Sequence, residues 1–218
     1  MKIKEILPGV FNISTFRKST LCKIFIRFQE HYESPEFRNK TFTLDEYKEW
    51  YIKNSKGGKK TGKFTYYKDW SGFNIPSYVL DAFYDGKFTD LTKYEKKILD
   101  YFKQYRGTKF YIIGVNKTND GIFTHEIAHA LYYIDTHYKK NVDTIINNLP
   151  TNNYNEYKTI LLGMGYCEKM VPDEIQAYLI SNHFEKSVYV NSDVCSKLNK
   201  YLRVTIMSLR YNTVKHDN

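Results

Sequence analysis

Polar and apolar positions along this chain recur with two periods, and each period predicts its own kind of element. Lys23-Ile24-Phe25-Ile26-Arg27-Phe28 and Lys63-Phe64-Thr65-Tyr66-Tyr67 interleave polar with apolar residues, which predicts strands. Between them, Leu44 to Ile52 predicts a short helix: Thr43 stands at the N-cap and Glu46 completes a capping box. Leu91, Tyr94, Ile98, Tyr101 and Phe102 fall on one helical stripe, so a helix is expected over 91–105, ended by Gly107. Thr108 to Val115 reads as a strand, followed by a loop over 116–121. A helix is expected from 121 to 138, with Phe123, Ile127, Ala130, Leu131 and Ile134 as its core stripe. Pro172 and Asp173, both favoured in a first helical turn, start another helix.

The stretch from Lys53 to Lys63, rich in Gly and Lys, reads as a flexible hairpin loop. Gly57, Gly62 and Lys63 match part of a phosphate-binding loop, but Phe64 stands where Ser or Thr is required and a strand-like stretch follows. No internal repeat is present, which argues against a solenoid or propeller. The mixed periods predict an α+β fold with a helical C-terminal part.

Composition narrows the class. Hydrophobic residues make up 42% of the 218, with 21 Tyr, 14 Phe and 2 Trp, which disfavours a disordered, collagenous or coiled-coil chain. The longest apolar runs fall well short of the roughly 18 residues a membrane helix needs. Pro8, Gly9, Asn12 and Ser14 break up the N-terminal apolar stretch, so no secretory signal is expected. Three cysteines (Cys22, Cys167, Cys195), with no C-x-x-C, argue against a disulfide framework or a cysteine metal site, and the expected compartment is a reducing cytoplasm. A net charge of +9 favours nucleic acid or acidic partners through non-specific electrostatics, with Lys56, Lys59, Lys60, Lys63, Lys197, Lys200, Arg203 and Arg210 as the contacts.

The chemistry concentrates in His125-Glu126-Ile127-Ala128-His129. At about 100° per residue, His125 and His129 lie about 40° apart on one helix face, so both imidazoles reach one ion. Glu126, about 100° round from His125, can approach a metal-bound water without displacing either histidine, as a general base must. Independent residue frequencies give roughly 0.01 chance occurrences of this pattern in a chain of this composition. A catalytic zinc needs a third protein ligand and leaves the fourth position to water. Asp135 stands six residues after His129, but Tyr132 occupies the place of the Gly that would turn the chain. His137 on a continuous helix would be carried about 12 Å along the axis, out of reach. Glu174 is the better third ligand: on its helix it shares a side with Ala177, Tyr178 and Ser181, and small Ala177 lets another helix come close.

His125-Glu126-x-x-His129 followed by Glu174-x-x-Ala177 resembles the gluzincin branch of the zincin metallopeptidases, and the 45-residue gap from His129 to Glu174 is similar to that of the lethal-factor-like group. The resemblance covers roughly residues 108–182. It implies a zincin-like metallopeptidase domain over 91–218, with an active-site helix beside a small mixed sheet. One Zn2+ per chain would be held by His125, His129 and Glu174, Glu126 would be catalytic, and a protein or peptide would be the substrate. It further implies a Tyr shortly before the ligand Glu that stabilises the oxyanion. Tyr166 matches that place, with His183 and Tyr178 as alternatives. Zincins also run an edge strand beside the active-site helix, a place that Thr108 to Val115 would take. Residues 1–90 carry no such resemblance and are expected as an N-terminal α+β region packed on the catalytic part. The competing reading is a catalytically inactive zincin-like binding module, associated with nucleic acid through its basic surface.

Overall fold

A two-residue turn at Pro8 and Gly9, where Gly9 takes a φ of 71°, folds the first residues back on themselves. It joins β1 (Lys2–Leu7) to β2 (Val10–Ser14), and the computed structural model describes residues 1–117, 121–184 and 190–216. α1 (Lys18–Glu33) comes next, then α2 (Leu44–Asn54), α3 (Lys56–Thr61) and α4 (Tyr66–Asp69). β3 (Phe73–Pro76), α5 (Asp81–Tyr84) and α6 (Lys93–Phe102) lead to β4 (Tyr111–Gly114). The elements that follow are helices: α7 (Gly121–Ile134), α8 (Thr136–Asn147), α9 (Thr151–Gly163), α10 (Val171–Ser181) and α11 (Ser192–His216). The fold is α+β with a helical C-terminal part.

The strands form one mixed sheet in the order β1-β2-β4-β3, antiparallel, parallel and antiparallel in turn. β4 therefore lies between two strands from the first 76 residues. Alternation along β4 sends Ile112 to one face and Tyr111 and Ile113 to the other. Ile112 joins Phe11, Phe25, Phe73 and Ile75 in a core shared with α1, α5 and α6. Tyr111 and Ile113 join Val10 in a second core with residues of α7, α8, α10 and α11. Burial on both faces accounts for the unbroken apolar run from Tyr111 to Val115.

Several expectations need correction. Lys23 to Phe28 is not a strand but the middle of α1. Leu21, Phe25, Phe28 and Tyr32 are spaced as one helical stripe, and Arg27, which scanned as a solvent-facing strand residue, is fully buried. Its guanidinium forms two bonds to Glu95, at 2.7 and 2.6 Å, and one to Asp90 at 2.5 Å. Lys63 to Tyr67 is not a strand either: Phe64 and Tyr66 pack among Tyr47 and Tyr51 at the start of α4. The Gly/Lys stretch carries α3, capped by the Ser55 hydroxyl, which accepts from Gly58 N at 2.9 Å, and closed by Gly62 at φ 64°. The helix expected over 121–138 breaks at Asp135, whose carboxylate caps α8 by accepting from Tyr138 N at 2.7 Å. The capping box at Thr43 and Glu46 is present, and α6 has a second one at Thr92 and Glu95.

Glu95 thus serves both the α6 cap and Arg27. Arg27→Ala leaves Glu95, 1% exposed, as a buried carboxylate with its cap hydrogen bond but without its charged partner. It is expected to cost about 3–5 kcal/mol in chemical denaturation, a loss typical of breaking a buried pair from one side.

Among the described residues no helix is long and apolar enough to cross a membrane. The lysines of α3 and Lys197, Lys200, Arg203 and Arg210 of α11 are exposed.

Candidate metal centre

α7 and α10 pack against each other, and Ala128 and Ala130 of α7 and Ala177 of α10 are fully buried in the core the two helices share. Side chains this small let the helix axes come close, and what projects between them can then meet. Three such side chains do: His125 and His129 from α7 and Glu174 from α10. The two Nε2 atoms are 3.1 Å apart, and Glu174 Oε2 lies 3.8 Å from that of His125 and 3.6 Å from that of His129. A tetrahedral zinc site with bonds of about 2.0–2.1 Å has donor–donor edges of about 3.3 Å, so the triangle has the required size.

The outer nitrogens set the tautomers. Ser181 Oγ donates to Ala177 O at 2.7 Å, so at 3.3 Å from His125 Nδ1 it can only accept, which places a proton on that nitrogen. His129 Nδ1 lies 2.9 Å from Asp173 Oδ1, near enough for charge pairing though not aligned as a hydrogen bond. Asp173 in turn accepts from Gln176 Nε2 at 2.9 Å, and Gln176 Oε1 accepts from Tyr138 OH at 2.9 Å. The two Nε2 atoms face inward, where each can carry a proton or offer a lone pair to a cation, and Glu174 Oε2 beside them is buried without a hydrogen-bond partner. Three polar groups packed this closely, two of them buried, favour a proton or another cation between them.

Electrostatics agree. Burial pushes the Glu174 carboxyl well above the usual carboxylate range, although His129 opposes it. Burial, then His129 and His183, hold the His125 imidazole well below its ordinary value. Burial would depress His129 as well, but Asp173 and Glu174 outweigh it and raise this imidazole to about 10. The field that favours a proton here favours a metal cation as well.

Glu126 sits one residue on from His125, 5% exposed. Asn74 of β3 is paired across to Ile113 and so faces α7, and its Nδ2 donates to Glu126 Oε2 at 2.8 Å. Tyr111 OH donates to Asn74 Oδ1 at 2.6 Å and fixes the amide orientation. A Cβ on Gly72 would stand 2.3 Å from Glu126 Oε1, so only glycine lets this backbone pass over the carboxylate. Burial pushes the Glu126 carboxyl up to about 7 despite His129 and Asn74.

A cavity of about 410 Å³ opens onto the centre. Tyr166 lines it, swung back by Gly165 at φ 101°, and its hydroxyl lies 3.3 Å from that of Tyr178 on α10. His183 lines it too, its ring 5.9 Å from that of His125. Asp135 and His137 stay outside, the first spent as the α8 cap and the second exposed on α8. The loop expected over 116–121 falls partly on residues 118–120, outside the described residues.

One expectation about substrate geometry is reversed. β4 is an inner strand, and the sheet edge beside the cavity is β3. That edge is covered in part: Asn74 N donates outward to Gln29 Oε1 of α1 at 3.0 Å.

Sequence reasoning did not single out Asn74 or the pairing of Asp173 with His129. Asn74 carries no local signal, since only the sheet register turns it toward Glu126. Asp173 read as a first-turn acid, and only its adjacency to Glu174 hinted at a metal-centre role. No protein-family model matches this chain, and neither does any curated protein or solved structure, so its site is read from geometry alone.

Proposed function

We propose that this chain is a zinc-dependent metallopeptidase of the gluzincin type that hydrolyses peptide bonds. The observation that carries the reading is the convergence of His125 Nε2, His129 Nε2 and Glu174 Oε2 beside a buried Glu126 carboxyl at the foot of a cavity. A structural zinc site closes all four positions with protein ligands, whereas a catalytic one uses three. Among the described residues three such groups come together, which favours catalysis.

A zinc ion held by His125, His129 and Glu174 would supply a water of lowered pKa and polarise a substrate carbonyl. Glu126 would take that water's proton. Asn74 occupies its Oε2, which leaves Oε1 for the transfer, and the same carboxyl delivers the proton to the leaving amine. Asp173 and Ser181 hold the two imidazoles with their Nε2 atoms inward. Tyr166 and Tyr178 line the cavity as neutral phenols, their pKa values raised by burial, and donate to the carbonyl oxygen as its charge develops. The three free cysteines suit a reducing compartment.

The test is metal analysis of purified protein together with cleavage of a mixed peptide library read by mass spectrometry. One zinc per chain and cleavage that a chelator abolishes are expected. A metal-free, stably folded protein after growth and purification with zinc overturns the reading.

A further inference from the structure

The cavity is acidic although the protein is basic. Glu30, Glu33, Asp69, Glu126 and Glu174 line it and, among the described residues, no Lys or Arg does, in a chain with 33 Lys and Arg against 24 Asp and Glu. Glu126 and Glu174 belong to the hydrolytic centre, and Asp69 accepts from the hydroxyls of Tyr51 at 2.5 Å and Thr65 at 2.6 Å. Glu30 and Glu33 have no part in that chemistry.

Three residues apart on α1, these two carboxyls share one helix face. Among the described residues neither forms an ion pair. Glu33 accepts only from the neutral Gln29 amide, at 2.5 Å, and the groups beside Glu30 are the hydroxyls of Tyr47, Tyr66 and Ser34. Burial pushes Glu30 up to about 8 and Glu33 up to about 7. The same cavity is lined by fully buried Tyr66, whose hydroxyl stands beside Glu30 but has no hydrogen-bond partner in good alignment. Glu33 feels His129 and Arg38 only at longer range, so two carboxyls held by neutral donors and a poorly aligned hydroxyl complement an ammonium or guanidinium, which brings one positive charge and several N–H donors. The cavity volume is that of a site for a small ligand or a side chain.

We propose that Glu30 and Glu33, with the Tyr66 hydroxyl, form a pocket for a positively charged group of the substrate, either a Lys or Arg side chain or a free α-ammonium. The proposal rests on the hydrolytic reading above and names its substrate class.

The test uses zinc-loaded protein and three sets of peptides. In the first, blocked peptides carry Arg or Lys at each position in turn. In the second, citrulline or acetyl-lysine replaces them. The third has a free N-terminus and no Lys or Arg. The charged sets are expected to be cleaved with kcat/KM at least tenfold above the neutral set, and whichever charged set wins identifies the source of the cation. In Glu30→Gln and Glu33→Gln that ratio is expected to fall by at least tenfold, through KM rather than kcat, with zinc content unchanged. Equal cleavage of charged and neutral sets, or an unchanged ratio in both variants, overturns the proposal.

Calorimetric binding separates this failure from failure of the hydrolytic reading. N-acetyl-argininamide or leucinamide should bind at least tenfold more tightly than N-acetyl-leucinamide, and the Gln variants should remove the difference. Selective binding without any cleavage sinks hydrolysis and leaves the pocket standing. Cleavage indifferent to charge does the reverse, and probes that bind no better than the neutral amide overturn the pocket directly.

Discussion

Glu126→Gln is expected to keep its zinc and to cleave peptides at least 10²-fold more slowly than the wild-type chain. The amide matches the carboxylate in shape but cannot accept a proton at neutral pH, and positioned acid–base groups contribute about 10²–10⁴ in rate. The structure sharpens this expectation through Asn74. Its Nδ2 donates to Glu126 Oε2 at 2.8 Å, and its Oδ1 is already committed to Tyr111 OH at 2.6 Å, so the amide cannot simply turn over. A glutamine at 126 keeps that bond by directing its carbonyl oxygen to Asn74, which leaves an NH2 group where the proton acceptor stood. The fold should be undisturbed, since the Gly72 backbone that passes over Oε1 tolerates a group of the same size. Paired measurements of zinc content and cleavage rate check it. A Gln variant as fast as wild type would show that this carboxylate does not carry the chemistry. Equal inactivity of both proteins on every substrate, with zinc bound, would favour a binding module.

How far the site could be read from sequence depends on how local its determinants are. His125, Glu126 and His129 are legible because one helical turn fixes their relation, and Glu174 because a helix start and a small residue at 177 mark a packing face. β4 and the capping box at Thr43 are legible for the same local reason. The failures have a common cause. Lys23 to Phe28 reads as a strand because Arg27 looks solvent-facing when counted by residue type, and only Glu95, 68 residues away, explains its burial. That misreading put α1 out of sight, and with it Gln29, Glu30 and Glu33, which cover the β3 edge and line the cavity. The inner position of β4 was illegible because strand order depends on which early strands pair with it, a choice made by two-sided core packing rather than by any local pattern. The break at Asp135 is a third case. Its carboxylate competes for the Tyr138 N–H and starts a new helix where apolar periodicity alone continues the old one.

Glu174→Gln is expected to abolish tight zinc binding without destabilising the metal-free protein. The two halves of that expectation come from the same atom. Glu174 Oε2 is buried with no hydrogen-bond partner, and its carboxyl is pushed well above the usual range, so in the absence of a cation it is an unfavourable group to bury. Its neutral amide removes that burden and also removes the third ligand, and three are the minimum for a catalytic site. Thermal unfolding with zinc and with chelator separates the two effects. Wild type should gain about 4 kcal/mol of stability at zinc concentrations about 1,000 times its dissociation constant, since a ligand that binds only the folded state stabilises by mass action. The Gln variant should show nearly none of this gain. Asp173→Asn should fall between them, with zinc affinity lowered about 10–100-fold, because it weakens the hold on His129 Nδ1 and leaves all three ligands in place. Asp135→Ala is the control: its carboxylate caps α8, so it should lower stability by about 1 kcal/mol with and without zinc alike. If Asp135→Ala loses zinc while Glu174→Gln keeps it, the third ligand comes from the α7–α8 break instead of α10, and the gluzincin reading falls.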